Sequence, residues 1–132
     1  MKRLICKLLL LSCIISCNSD DTNSDEEITL GVWRLVEQMA DPGDGSGRFV
    51  PVRSEKTLQF LKNGSVVTNG SLCDPYSNEQ IASATYSLET GEINTNCSNE
   101  NIQTIFFELK DGELILNFIS IEGFTQKFKR FF

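Results

Sequence analysis

Cysteine is the residue with which this chain of 132 residues could do covalent chemistry: five occur, Cys6, Cys13, Cys17, Cys73 and Cys97, and no histidine accompanies them. The lack of histidine removes Ser-His-Asp catalysis, Cys-His catalysis and His-ligated metal sites together. An enzyme would then need paired carboxylates or a Tyr or Lys base. The acidic residues fall mainly in loops, turns and outward strand positions, where charges are solvated, so the chain reads as a non-enzymatic protein without catalytic residues or a cofactor. Asp41-Pro42-Gly43-Asp44-Gly45-Ser46-Gly47 alternates oxygen groups with glycine as a hard cation requires, but the spacing is not that of an EF-hand. A Gly-rich lid is the plainer reading, and no metal ligand is assigned.

The first three cysteines lie in the segment MKRLICKLLLLSCIISC, which opens with Lys2, Arg3 and Lys7 and continues as an apolar run over 8–15. A bilayer span needs about 20 apolar residues, so this run with its basic flank reads as a removable export signal. Ile14-Ile15-Ser16-Cys17 resembles the lipobox of bacterial lipoproteins, in which a small residue precedes the cysteine that takes the diacylglycerol. Leu10-Leu11-Ser12-Cys13 fits the same pattern, but cleavage there leaves a very short signal and a second apolar stretch. Cys17 is therefore the expected lipidation site, with 1–16 as signal peptide; an ordinary secretory signal with an incidental cysteine is the alternative. Two or more acyl chains, at about 0.8 kcal/mol per buried CH₂, would anchor the protein stably to a membrane.

Behind Cys17, NSDDTNSDEE carries five acidic residues and no apolar one, too little to fold. Residues 17–28 read as a lipidated acidic tether that reaches up to roughly 35 Å from the bilayer. Its start, Cys17-Asn18-Ser19-Asp20-Asp21, resembles the export tag of surface lipoproteins in Bacteroidota, whereas a plain spacer would leave the domain in the periplasm. The expected address is the outer membrane, periplasmic or surface-exposed, with the surface favoured.

The 115 residues after Cys17 suit one domain, taken as 29–132, with a modest core. From Ile28 onward nine basic and thirteen acidic residues leave a net charge of −4, and no basic run precedes the last strand, which argues against nucleic acid as a partner. Cys73 and Cys97 remain in that domain. In an exported protein an even pair reads as a disulfide, against a free thiol or a metal ligand.

Period-2 alternation broken by turn signals every eight to twelve residues predicts strands near 31–39, 56–62, 65–71, 82–89, 91–96, 102–109, 113–120 and 123–131. Asn63-Gly64, Thr90-Gly91 and Asp111-Gly112 supply hairpin turns. Parity assigns an apolar inner face to Leu58 and Phe60, to Ala84, Tyr86 and Leu88, to Ile105, Phe107 and Leu109, and to Leu114, Leu116 and Phe118. On the last strand it groups Phe124, Phe128, Arg130 and Phe132. Eight sequentially joined strands are best closed into an antiparallel up-and-down barrel that leaves no free edge; a two-sheet sandwich is the alternative. The long connections are 40–54 and 72–81.

Gly31-Val32-Trp33 at the start of the first strand resembles the Gly-x-Trp signature of lipocalins. With the long first connection, the hairpin Thr57-Leu58-Gln59-Phe60 then Asn63-Gly64, and the late Arg130, residues 30–132 resemble the small lipocalin-like domains of Bacteroidota lipoproteins. The resemblance implies that Trp33 closes one end of the barrel with Arg130 stacked on it. Two departures from lipocalins stand against a large cavity: the chain is short, and it lacks a helix after the last strand.

The mouth of a barrel is a common pocket, and Phe60, Tyr86, Phe107 and Phe118 are the expected lining for a small lipophilic ligand, unless they simply fill the interior. Phe49, Val50 and Val52, on the proposed lid, would touch what enters. Phe106, Ile115 and Ile119 fall on the outer parity, where an apolar patch marks a partner surface. The chain thus reads as a lipocalin-like lipoprotein that binds a small lipophilic molecule. The alternative is an interaction or inhibitor module that meets another envelope protein.

Overall fold

The computed structural model describes residue 28 and residues 31–73, 75, 77–99, 103–119 and 122–132. The expected signal, Cys17 and most of the expected tether fall outside the described residues. Alternating sequence becomes strand as expected: β1 (Trp33–Ala40), β2 (Val50–Pro51), β3 (Thr57–Phe60), β4 (Ser65–Thr68), β5 (Ser83–Ser87), β6 (Glu92–Asn94), β7 (Thr104–Lys110), β8 (Glu113–Phe118) and β9 (Phe124–Arg130). Each strand from β3 to β9 pairs antiparallel with the next, and β1 pairs with both β3 and β9. The fold is therefore a closed eight-stranded antiparallel barrel, with β2 as one further short strand outside it. β2 was not expected: Val50 and Pro51 pair with Gln38 and Glu37 only because that part of β1 lies beyond its short pairing with β3.

Cross-strand partners share a face, so the register defines the interior. Trp33, Leu58, Phe60, Val66, Ile93, Ile105, Leu114, Leu116 and Phe128 form its buried heart. A bulge between Leu35 and Glu37 shifts the register against β9. An extra residue in one strand reverses its alternation. Leu35 therefore stays inside, while Glu37 faces out to the Lys127 ammonium at 2.9 Å. Lys127 also reaches Glu113 at 3.3 Å, and Lys129 reaches Glu113 at 3.3 Å, which stitches the outer face of β8 and β9.

The two ends of the barrel differ. At one end lie the tight turns: Gly64 and Gly91 have positive φ, and Asp111 and Gly112 both do (53° and 75°), the geometry a two-residue hairpin of this twist demands. The same end holds the start of β1 and the end of β9. Here the register leaves Gly31 no room for a side chain: its φ is 94°, and a Cβ would fall on the carbonyl oxygen of Phe132. That close approach lets Val32 N donate to Phe132 O at 3.0 Å and Phe131 N to Val32 O at 2.6 Å. The longer connections, from β1 to β3, β4 to β5, β6 to β7 and β8 to β9, all leave and re-enter the barrel at the opposite end.

Candidate functional site

The closed end is built around Trp33, which is fully buried; its indole Nε1 donates to Ile28 O at 3.1 Å. The guanidinium carbon of Arg130 lies 5.1 Å from the Trp33 ring centroid, within cation–π range. Arg130 itself is exposed, so it covers the indole from outside. Gly31, Trp33 and Arg130 thus meet at one place, and the first of them owes its identity to steric necessity.

Of the four aromatic residues expected to line a pocket, three lie against one another. Phe60 and Tyr86 meet edge-on at 5.0 Å, Phe60 and Phe107 at 5.2 Å, and Tyr86 and Phe107 at 6.4 Å. The Tyr86 hydroxyl donates to Leu61 O at 2.8 Å, which ties it to the tight turn between β3 and β4. This trio fills the half of the barrel nearer the closed end. Phe118 lies elsewhere, 5.7 Å from Phe124 at the end of the barrel that carries the long connections.

Beside Phe118 the interior turns polar. Lys56, just before β3, shares the inward parity of Leu58 and Phe60, and its carbonyl accepts from Leu35 N at 3.0 Å. Its ammonium donates to Gln126 Oε1 at 2.8 Å and lies 5.8 Å from the Phe118 centroid and 6.0 Å from that of Phe128. Gln126 is 5 % exposed and shares the inward parity of Phe124 and Phe128. Among the described residues no carboxylate pairs with Lys56. Burial pushes its pKa down to about 8, because removing an ammonium from water penalises the charged form.

Sequence reading missed both residues, although period 2 places 56 with 58 and 60, and 126 with 124 and 128. The signal was present; an inner face drawn from apolar residues alone passed over it.

One side of the mouth is cross-braced. Cys73, in the β4–β5 connection, forms a disulfide with Cys97, in the β6–β7 connection. Glu79 reinforces it: its carboxylate accepts from Ser98 N at 2.9 and 3.0 Å and from Ser98 Oγ at 2.6 Å, which holds its pKa below the usual range. Cys73, Glu79 and Cys97 bring three potential metal ligands together. The two sulfurs are spent on the disulfide, so the cluster has no thiolate to offer a metal.

The first connection does not form the expected lid. Asp41 turns its carboxylate onto the amides of Gly43, Gly45 and Gly47 at 2.8 to 3.0 Å, and these donors hold its pKa below the ordinary value. Its oxygens close a loop instead of facing a cation. Phe49 lies on the outside of the barrel, where the Lys127 ammonium stands 4.2 Å from its ring centroid. Val52 packs against the core, and of the three only Val50, at 59 % exposure, is largely open to solvent. On the outer face Phe106 and Ile119 are each 43 % exposed, while Ile115 is partly covered.

The chain matches no protein-family model, no curated protein and no solved structure.

Proposed function

We propose that this protein is an outer-membrane lipoprotein, anchored through Cys17, whose barrel takes a small lipophilic molecule through its open end. The observation that supports this most is the contrast between the two halves of the interior. One half is sealed by Trp33, Arg130 and the Phe60, Tyr86 and Phe107 trio. The other holds the inward rings of Phe118 and Phe124 beside an ammonium and an amide, under the long connections. Apolar walls with a few convergent polar groups are what small-molecule sites share. The kinship with small lipocalin-like lipoprotein domains is proposed on the same grounds, with the Gly31, Trp33 and Arg130 contact in its favour.

Native mass spectrometry of the protein purified from its own host tests this reading. A co-purifying small molecule is expected, with reduced occupancy in Ala40→Trp, which adds bulk at the rim of the inner face opposite Phe124. A protein that emerges empty and takes up no member of a panel of fatty acids, fatty alcohols and isoprenoids overturns it. For the anchor, Cys17→Ser should abolish palmitate labelling. Labelling that persists there and disappears with Cys13→Ser moves the site. Surface display, favoured by the acidic tether, predicts digestion by protease added to whole cells; protection assigns the domain to the periplasm.

A second reading rests on the exposed outward Phe106 and Ile119. In it the barrel is an interaction or inhibitor module for another envelope protein. It predicts a partner captured by the wild type and lost with Phe106→Asp; equal capture by both excludes that face.

A further inference from the structure

We infer that Lys56 and Gln126 form a head-group site for the carboxylate of an amphipathic anion, whose apolar part lies against the inward rings of Phe118 and Phe128. This rests on the reading that the barrel takes a lipophilic molecule, and it names the class.

Four observations lead there. The Lys56 ammonium has three donors, and among the described residues Gln126 Oε1 accepts one and no other side chain accepts a second. The nearby acids face away. Glu55, adjacent in sequence, is turned outward to Arg34 at 3.6 Å. Glu37 would follow Leu35 onto the inner face of β1, but the bulge turns it out to Lys127 and leaves Gln38 in its place. The barrel thus holds an inward cation and turns Glu37 and Glu55 to the other face.

Gln126 supplies the second half of the site. With Oε1 engaged by Lys56, its Nε2 donors are bonded to no described residue. A carboxylate between them would accept from an ammonium and an amide at once, and charge-assisted bonds of this kind are the strong ones. The surroundings supply the contrast that an amphipathic ligand needs, since the rings of Phe118 and Phe128 flank the ammonium. The side chains that meet the ammonium, Phe118, Gln126 and Phe128, carry no titratable group, so Lys56 is the proton-binding partner at the site. Its pKa near 8 when unliganded then implies that an arriving carboxylate restores the charged form and takes up a proton above that pH.

Isothermal titration with dodecanoate and dodecanol, two probes of one chain length, isolates the head group. Wild type at pH 7 should prefer dodecanoate by about ten- to hundred-fold. Above pH 8 dodecanoate binding should weaken and be accompanied by proton uptake, read from buffers of different ionisation enthalpy; dodecanol should show neither. Lys56→Met should abolish the preference while keeping dodecanol binding, which also reports that the variant is folded. Gln126→Leu, which keeps the ammonium, should lower the preference without removing it. Equal affinity for the two probes in wild type, or a preference that survives Lys56→Met, overturns the head-group site and leaves the lipophilic barrel standing. Failure of both probes to bind folded wild type overturns the barrel reading itself.

Discussion

Lys56→Met should make the unliganded protein more stable at neutral pH, and the gain should fade as pH rises. The folded-state pKa of Lys56 lies near 8, against 10.5 in the unfolded chain. At 1.36 kcal/mol per unit, holding this side chain protonated in the barrel costs about 3 kcal/mol at pH 7. The unfolded state binds more protons between pH 8 and 10.5, so wild-type stability rises with pH through that window. Methionine has no proton to lose and packs well against Phe118 and Phe128. It also leaves Gln126 Oε1 without its donor, a loss of roughly 1 kcal/mol that does not depend on pH. The net gain at pH 7 is therefore about 2 kcal/mol, which moves a urea midpoint upward by about 1 to 2 M for a domain of this size. Paired urea titrations of the two proteins at pH 7 and pH 10, without ligand, measure the difference and cancel other titrating groups. A Lys56→Met variant that is less stable at pH 7, or whose advantage is unchanged at pH 10, refutes the description of Lys56 as an unpaired, desolvated cation.

Two further predictions concern the closed end. Gly31→Ala places a Cβ on the Phe132 carbonyl at a φ that side chains avoid, and should cost at least about 2 kcal/mol in chemical denaturation; a neutral outcome excludes the close pairing of the chain ends. Trp33→Phe and Arg130→Ala should couple by about 0.5 to 1 kcal/mol in a double-mutant cycle, as an exposed guanidinium over an indole does, and additive effects argue against the stack.

Much of the barrel was legible because alternation and turn chemistry are local. Each of the eight expected strands overlaps an observed one, and Asn63-Gly64 and Asp111-Gly112 form the turns their residue types require. The disulfide was legible from the pair of cysteines in a domain that the sequence reads as exported. Three features depend on tertiary placement and left weaker traces. β2 exists because β1 offers an unpaired edge above its short contact with β3, and nothing in Val50-Pro51 announces a strand. The bulge that turns Glu37 outward has no signature in Leu35-Val36-Glu37. The depth of Phe60, Tyr86 and Phe107 depends on the stagger of neighbouring strands, so parity found their face but not their half of the barrel. Lys56 and Gln126 are different: simple alternation puts both inside, and only the expectation of an apolar interior concealed them.

The two sides of the barrel end that carries the long connections are braced differently. Cys73–Cys97 and the Glu79 to Ser98 bonds join the β4–β5 and β6–β7 connections. Phe118 and Phe124 border the other two connections, which the bond from Asp41 N to Gly123 O at 2.7 Å joins, and Lys56 lies between the two sides, with its stem against Gly70 at the start of the β4–β5 connection. Opening the disulfide should therefore loosen first the side away from Gln126 and Phe118. A closed loop of about 25 residues is worth roughly 3.5 kcal/mol in the chain-entropy model, a large share of a small domain's stability. Cys73→Ala/Cys97→Ala should lower the urea midpoint accordingly, yet keep the preference for dodecanoate over dodecanol at a temperature where far-UV circular dichroism reports a folded barrel. If the folded double variant loses that preference, the braced side shapes the site as well, and the division between the two sides is wrong.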